Sequence, residues 1–299
     1  MTGVRSQIQR FLQFTPVDSV VSFEVVESMA CQGYTRQRIN FPAGDGDQIP
    51  AYLLIPGGEG PSPAVIIHHQ HASQRHLGKS EVVGLAGDPL QAFGQALAQR
   101  GFVVLAPDSI CFEDRRRHAT GSTPHEKDDL GHYEELGRRL VQGDTLMRKV
   151  LADASCGVSL LACHPAVDPA RIGSLGHSYG GNTVLFQAAL EQRISFAVSS
   201  GALCSYAYKR QHHIPLEMAL IIPGFARQWD LHHLLSCIAP RRLLVVSAED
   251  DPNSKDAPEV IARAEINDHV SHYREAGGHA MTPARFEHII SYVEQVGQG

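Results

Sequence analysis

A serine flanked by glycines, at the junction of an apolar run and a helical stretch, constrains this chain more than any other feature. Residues Gly176-His177-Ser178-Tyr179-Gly180-Gly181 follow the run Arg171 to Leu175 and lead into a helical pattern from about Gly181 to Leu190. A serine on a strained strand-to-helix turn needs neighbours without side chains two positions to either side, because the backbone doubles back on itself there. Such a turn requires strands that alternate with helices, and the chain offers them. Short apolar runs at Ala64 to Ile67, Phe102 to Ala106, Ile194 to Ser199, Arg242 to Ser247 and Val270 to Glu275 are separated by helical patterns at Asp88 to Arg100, Asp144 to Cys163, Pro258 to Asn267 and Thr282 to Val296. In the first of these helices Asp88 suits the cap, Pro89 the first turn and Gly101 the stop.

Ahead of the alternation, Arg36 to Phe41 and Gln48 to Ile55 flank the turn-prone Gly44-Asp45-Gly46 and read as an antiparallel hairpin. The expected architecture is α/β: a mostly parallel twisted sheet with an antiparallel N-terminal strand pair and helices on both faces. Two stretches break the pattern, residues 109–143 and 202–230. Both leave strand ends, where open α/β sheets bind ligands, so residues 1–299 read as one unit with two lid-like insertions over a site.

Composition narrows the partners. A net charge of −6 disfavours nucleic acid or anionic lipid as a partner, and no apolar run is long enough to span a bilayer. Residues 1–16 lack the continuous apolar core of a signal peptide, and the six scattered cysteines form no C-x-x-C pair, which together predict a cytoplasmic protein with reduced thiols. The 17 histidines raise the question of metal. His68, His69, His71 and His76 crowd one turn, yet their spacing fits no metal motif, so neither a metal nor a cofactor is expected. Gly78-Lys79-Ser80-Glu81 lacks the upstream glycine of a phosphate loop, and Arg115-Arg116-Arg117 reads as a solvated, locally paired face.

A serine hydroxyl is a weak nucleophile and needs a histidine base oriented by a carboxylate. The run Arg242 to Ser247 leads into Ala248-Glu249-Asp250-Asp251-Pro252. Asp251 is the choice for the acid because a residue before proline is held extended; Asp250 and Glu249 are the alternatives. His279, in Gly277-Gly278-His279-Ala280 before the last helix, is the choice for the base, whereas His272 and His288 lie within a strand and a helix. The order Ser178, Asp251, His279 suits this architecture. For the oxyanion, the backbone N–H of Tyr179 is one expected donor and that of His71 the other, with Gln70 as runner-up. Gln70, Tyr206, Phe225 and Trp229 are the expected substrate-contacting side chains.

These residues resemble the α/β-hydrolases along nearly the whole chain, and within them the dienelactone-hydrolase and acetyl-xylan-esterase-like branch. The wider resemblance rests on Gly176 to Gly180, Asp251 before Pro252 and Gly278-His279, and that to the branch on Gly46 to Pro56 and on Ile222-Pro223-Gly224 leading through Ile238 to Arg241 to Asp251. Position 178 is serine where dienelactone hydrolases proper carry cysteine, and the usual His-Gly-x-Gly reads His69-Gln70-His71-Ala72. The resemblance implies a cofactor-free hydrolase working through an acyl-enzyme, and it extends to the serine esterases that open macrolide antibiotics. The expected substrate is a small-molecule carboxylic ester or lactone. A peptidase or amidase using the same triad is the competing enzymatic reading, and a non-catalytic ligand-binding fold the non-enzymatic one.

Overall fold

The computed structural model describes residues 2–58, 60–266 and 268–299. Among the described residues nine strands form one sheet, in the order β1-β2-β3-β5-β4-β6-β7-β8-β9. The strands are β1 (Glu24–Cys31), β2 (Tyr34–Pro42), β3 (Gln48–Pro56), β4 (Ser62–His68), β5 (Val103–Pro107), β6 (Val167–His177), β7 (Ile194–Ser200), β8 (Arg242–Ala248) and β9 (Val270–Glu275). β1, β2 and β3 run antiparallel, β3 pairs antiparallel with β5, and β5 through β9 are parallel. This is the mostly parallel α/β sheet expected, with its antiparallel front extended by one strand. β1 gave no alternating signal because it is an edge strand with nearly every side chain exposed.

The helices are α1 (Thr2–Phe11), α2 (Lys79–Val82), α3 (Phe93–Ala98), α4 (Asp128–Val141), α5 (Leu146–Cys163), α6 (Tyr179–Leu190), α7 (Tyr206–Gln211), α8 (Leu231–Ile238), α9 (Ala257–Ala264) and α10 (Pro283–Gln298). α1 was not expected, and the stretch from Asp88 to Arg100 divides into a 3-10 turn, Pro89–Gln91, and α3. Asp88 caps the turn by accepting the Leu90 N–H at 2.9 Å. α9 is shorter than its sequence pattern, and Asn267, the expected end, lies outside the described residues. No helix among the described residues is long and apolar enough to cross a membrane.

Alternate residues along the central strands feed two separate cores, as a sheet covered on both faces requires. Ala64 and Ile66 of β4 join Val103 and Leu105 of β5 in the layer under α1, α5, α6 and α8. Val65 and Ile67 join Val104 and Ala106 in the layer under α3 and α10. The strand ends are thereby fixed at the edge from which segments 109–143 and 202–230 depart.

Segment 109–143 corrects one expectation. Arg115 and Arg116 are buried, not solvated: Arg115 pairs with Asp47 and, at 2.9 Å, with Asp153, and Arg116 reaches Asp128 at 2.7 Å, while Arg117 alone stays half-exposed. Lys79 is likewise buried, with its Nζ 2.7 Å from Asp108, 2.6 Å from Glu113 and 2.7 Å from Asp114. In sequence the arginines have Glu113 and Asp114 beside them, but in the fold Arg115 and Arg116 take partners from elsewhere in the chain, Asp47, Asp153 and Asp128.

Candidate active site

Ser178 sits between β6 and α6 with φ 57° and ψ −117°, a left-handed conformation that a non-glycine residue adopts only under constraint. The flanking glycines make it possible. A Cβ on Gly176 would lie 2.3 Å from the Gly180 carbonyl carbon, and one on Gly180 would lie 2.0 Å from the His68 carbonyl oxygen. Gly180→Ala is therefore expected to cost about 1–3 kcal/mol through overpacking and to slow turnover by displacing the turn after β4. A melting temperature and kcat equal to those of the wild type would show that the turn is not packed in this way.

His279 brings Nε2 to 2.7 Å from Ser178 Oγ. Its Nδ1 lies 3.0 Å from Asp251 Oδ1. Arg285 fixes the loop of His279 by donating to the carbonyls of Gly278 and Ala280 at 2.8 and 2.7 Å. Asp251 is buried and accepts from the Asn253 N–H at 2.9 Å and the Ser254 hydroxyl at 2.8 Å. Burial alone would raise this carboxyl, but His279 and these two donors outweigh it and hold it below the ordinary range. Asp250 and Glu249 stay at the surface, His272 bonds Ser247, and His288 stacks on Tyr273.

Gly201 is a position that sequence reasoning missed. It follows β7 with φ 59°, and a Cβ there would press on the rings of His177 and His279, which stack 5.0 Å apart. Its sequence signal is a glycine directly after a strand that ends beside the serine turn.

The turn after β4 lies against the start of α6, as the contact of Gly180 with His68 requires. The N–H groups of Gln70 and His71 have no acceptor among the described residues, and that of Tyr179 opens a helix, where no intrahelical acceptor exists. The turn forms without the usual glycines because Ala72 (φ 37°) and Ser73 (φ 58°) take the left-handed conformation. The His71 ring holds it there, with Nδ1 accepting the Ser73 N–H at 2.9 Å.

The crowded histidines act as struts. His68 Nε2 meets Gln187 Oε1 at 2.8 Å, and His69 links the Gln70 carbonyl at 2.7 Å to the Ser109 N–H at 3.1 Å. Burial pushes both down to about 4, so they are neutral at pH 7. Among the described residues the one group of metal-type ligands close enough to share an ion is Asp108, Glu113 and Asp114, and the Lys79 ammonium already contacts all three.

The aromatic residues expected to wall the pocket are buried in the hydrophobic core. Phe225 is fully buried against Phe11, Phe186, Tyr206 and Trp229, and Tyr206 donates its hydroxyl to the Leu220 carbonyl at 2.9 Å. These side chains anchor α1 and segment 202–230 to the core. The Arg75 guanidinium stands 5.1 Å over the Phe112 ring, itself 5.2 Å from Tyr179, and its Nη1 is enclosed without a partner. Glu217 uses Oε2 to accept the Ala219 N–H at 2.9 Å and leaves Oε1 enclosed and unpartnered. Burial pushes Glu217 up to about 7, against the pull of the Ala219 N–H and Arg75.

Comparison with known proteins adds the lineage. The model of the Dienelactone hydrolase family matches residues 49–201. The "Putative hydrolase YtaP" of Bacillus subtilis (strain 168) is 27% identical over 311 residues, covering 97% of this chain and 98% of its own. Among solved structures, a glucuronoyl esterase from Solibacter usitatus superposes with a TM-score of 0.66 at 15% identity, over 99% of this chain and 92% of its own. An acetyl xylan esterase from Paenibacillus sp. R4 gives 0.63 at 18%, over 98% and 93%. At these identities the structural likeness speaks for the fold alone.

Proposed function

The chain belongs to the dienelactone hydrolase family and is a carboxylic-ester hydrolase, and on that premise we propose that it cleaves its substrate through an acyl-enzyme on Ser178. The observation that carries the reading is the run of contacts from Ser178 Oγ to His279 Nε2 at 2.7 Å and from His279 Nδ1 to Asp251 Oδ1 at 3.0 Å. Ser178 Oγ attacks the ester carbonyl while His279 Nε2 takes its proton, and Asp251 stabilises the imidazolium. The N–H groups of Tyr179 and His71, with Gln70 as the alternative to His71, stabilise the tetrahedral oxyanion. The intermediate expels the alcohol, which receives the proton from His279. A water that gives its proton to His279 then attacks the acyl-enzyme and restores Ser178. None of these steps calls on a metal or cofactor.

The substrate proposed is a lactone of the macrolide type or a small acyl ester. Arg75 Nη1 and Glu217 Oε1 are a donor and an acceptor without a partner among the described residues; with Arg75 already paired to Asp129 at 3.2 Å and Glu217 pushed up to about 7, they suit a neutral, hydrogen-bonding ligand better than one of either charge. Membership of the dienelactone hydrolase family favours an ester over an amide. Residues 1–299 acting as one unit, with 109–143 and 202–230 over the site, belongs to the same proposal, as does a cytoplasmic location, which the six unpaired cysteines support.

The test is labelling by a fluorophosphonate probe alongside turnover of matched ester and anilide substrates. Labelling confined to Ser178 and an ester rate far above the anilide rate are expected. A preference for the anilide would make the protein an amidase, and labelling that persists in Ser178→Ala would remove the nucleophile. Addition of one water to a macrolide lactone, read by mass spectrometry, decides between the two substrate types.

A further inference from the structure

Segment 202–230 is clasped to the loop that carries Asp251 at two points. At the start of α7, Ser205 donates its N–H and its hydroxyl to Asp256, at 3.1 and 2.5 Å. Four residues on, Lys209 Nζ donates to Asn253 Oδ1 at 2.8 Å. Asn253 in turn gives its own N–H to Asp251 Oδ1 at 2.9 Å, and that oxygen faces His279 Nδ1.

Lys209 is only 3% exposed and, among the described residues, has no carboxylate within ion-pairing distance. A buried ammonium without a paired counter-ion is costly, and an apolar residue of similar volume commonly gives a fold at least as stable. Stability therefore does not account for a lysine at this place; what its Nζ holds does. Asp251 Oδ1 has two partners to satisfy, the Asn253 N–H and the His279 ring, which stands 3.0 Å away. A turn at 251–254 that drifts by a few tenths of an ångström would loosen the contact with His279 while Asn253 and Ser254 keep theirs.

We propose that Lys209 is a positioning residue for the acid of the triad, holding the Asn253 side chain so that Asp251 stays directed at His279. Segment 202–230 thus completes the catalytic geometry from outside the sheet. The inference rests on the triad reading above.

The test compares Lys209→Met, which keeps the length but removes the donor, with Asn253→Ala and with both together. Each single variant should lower kcat by about 10–100-fold, the scale of a misplaced catalytic group, with KM within about twofold and no fall in melting temperature. The double variant should lose no more than either single one, because both cut the same link. Lys209→Gln, which restores an N–H donor, should recover part of the rate. Should Lys209→Met not fold, Asn253→Ala, a change at a half-buried loop residue, carries the test alone. Wild-type kcat in Asn253→Ala, or losses that multiply in the double variant, would overturn the proposal. Ser178→Ala run in parallel separates the two readings: if it abolishes turnover while Asn253→Ala has no effect, only the positioning role fails, and if it retains turnover, the triad fails and this role with it.

Discussion

Ser178→Ala is expected to lower kcat for ester hydrolysis by about 10⁴–10⁶-fold while leaving KM within a few-fold. The size follows from what remains. Without Oγ there is no acyl-enzyme, and only direct attack by water is left, aided by His279 and by the N–H groups beside Tyr179. Triad members act as a unit, so His279→Ala should cost about as much, and the double variant little more than either. Asp251→Asn should also be severe, about 10⁴-fold. Oδ1 and Oδ2 already accept from Asn253 and Ser254, so an amide there can present only one carbonyl oxygen, and its NH2 would face a hydrogen-bond donor. Single-turnover kinetics on the purified variants give the measurement. Losses that multiply across the three positions would show that they do not act on one proton transfer. The fold should survive Ser178→Ala, because alanine carries the same Cβ at φ 57° and adds no strain to that of the serine. A higher melting temperature in Ser178→Gly would report that strain.

The site was legible wherever chemistry and chain geometry coincide locally. Gly176 and Gly180 around Ser178 announce a turn that only a strand-to-helix junction needs, and both contacts that exclude a Cβ lie within that turn or against β4. Asp251 and His279 follow because each ends a strand on the same edge of the sheet. What the sequence concealed depends on partners far away in the chain. Phe225 and Trp229 have the composition of a pocket wall, and only the arrival of Phe11 from α1 makes them core. Arg115 and Arg116 look solvated until Asp153 and Asp128 are brought to them. The histidines at 68–76 carry no metal spacing because His68 and His69 serve as neutral struts from the strand end to α6 and to the loop after β5, a role that leaves no periodic trace. β1 is invisible for another reason: an exposed edge strand needs no alternation.

The second large effect is expected at Lys79. Lys79→Met should destabilise the fold by about 3–5 kcal/mol, the usual cost of removing one partner from a buried ionic cluster, and lower the melting temperature by roughly 6–10 °C in a chain of this size. The three carboxylates converge on Nζ within 2.7 Å, and two of them, Asp108 and Glu113, are themselves buried. Burial opposes the charge on Lys79, but Asp108 and Glu113 outweigh it and hold the ammonium above its ordinary range. The sign of the pH dependence follows from Asp108, which burial and its neighbour Glu113 push up to about 7 even with Lys79 present. A carboxyl whose folded pKa lies above its unfolded value near 3.8 penalises the folded state fully above pH 7, and the penalty fades as pH falls toward 4. Removing the ammonium raises the Asp108 carboxyl further, so the stability gap between wild type and Lys79→Met should be widest at pH 8 and narrow steadily toward pH 5. Lys255→Met, at a half-exposed lysine, should change stability by less than about 0.5 kcal/mol at any of these pH values. Denaturant titrations at pH 5, 6.5 and 8 read all three proteins. A gap for Lys79→Met that is constant with pH would mean that the cost comes from lost packing of the lysine stem.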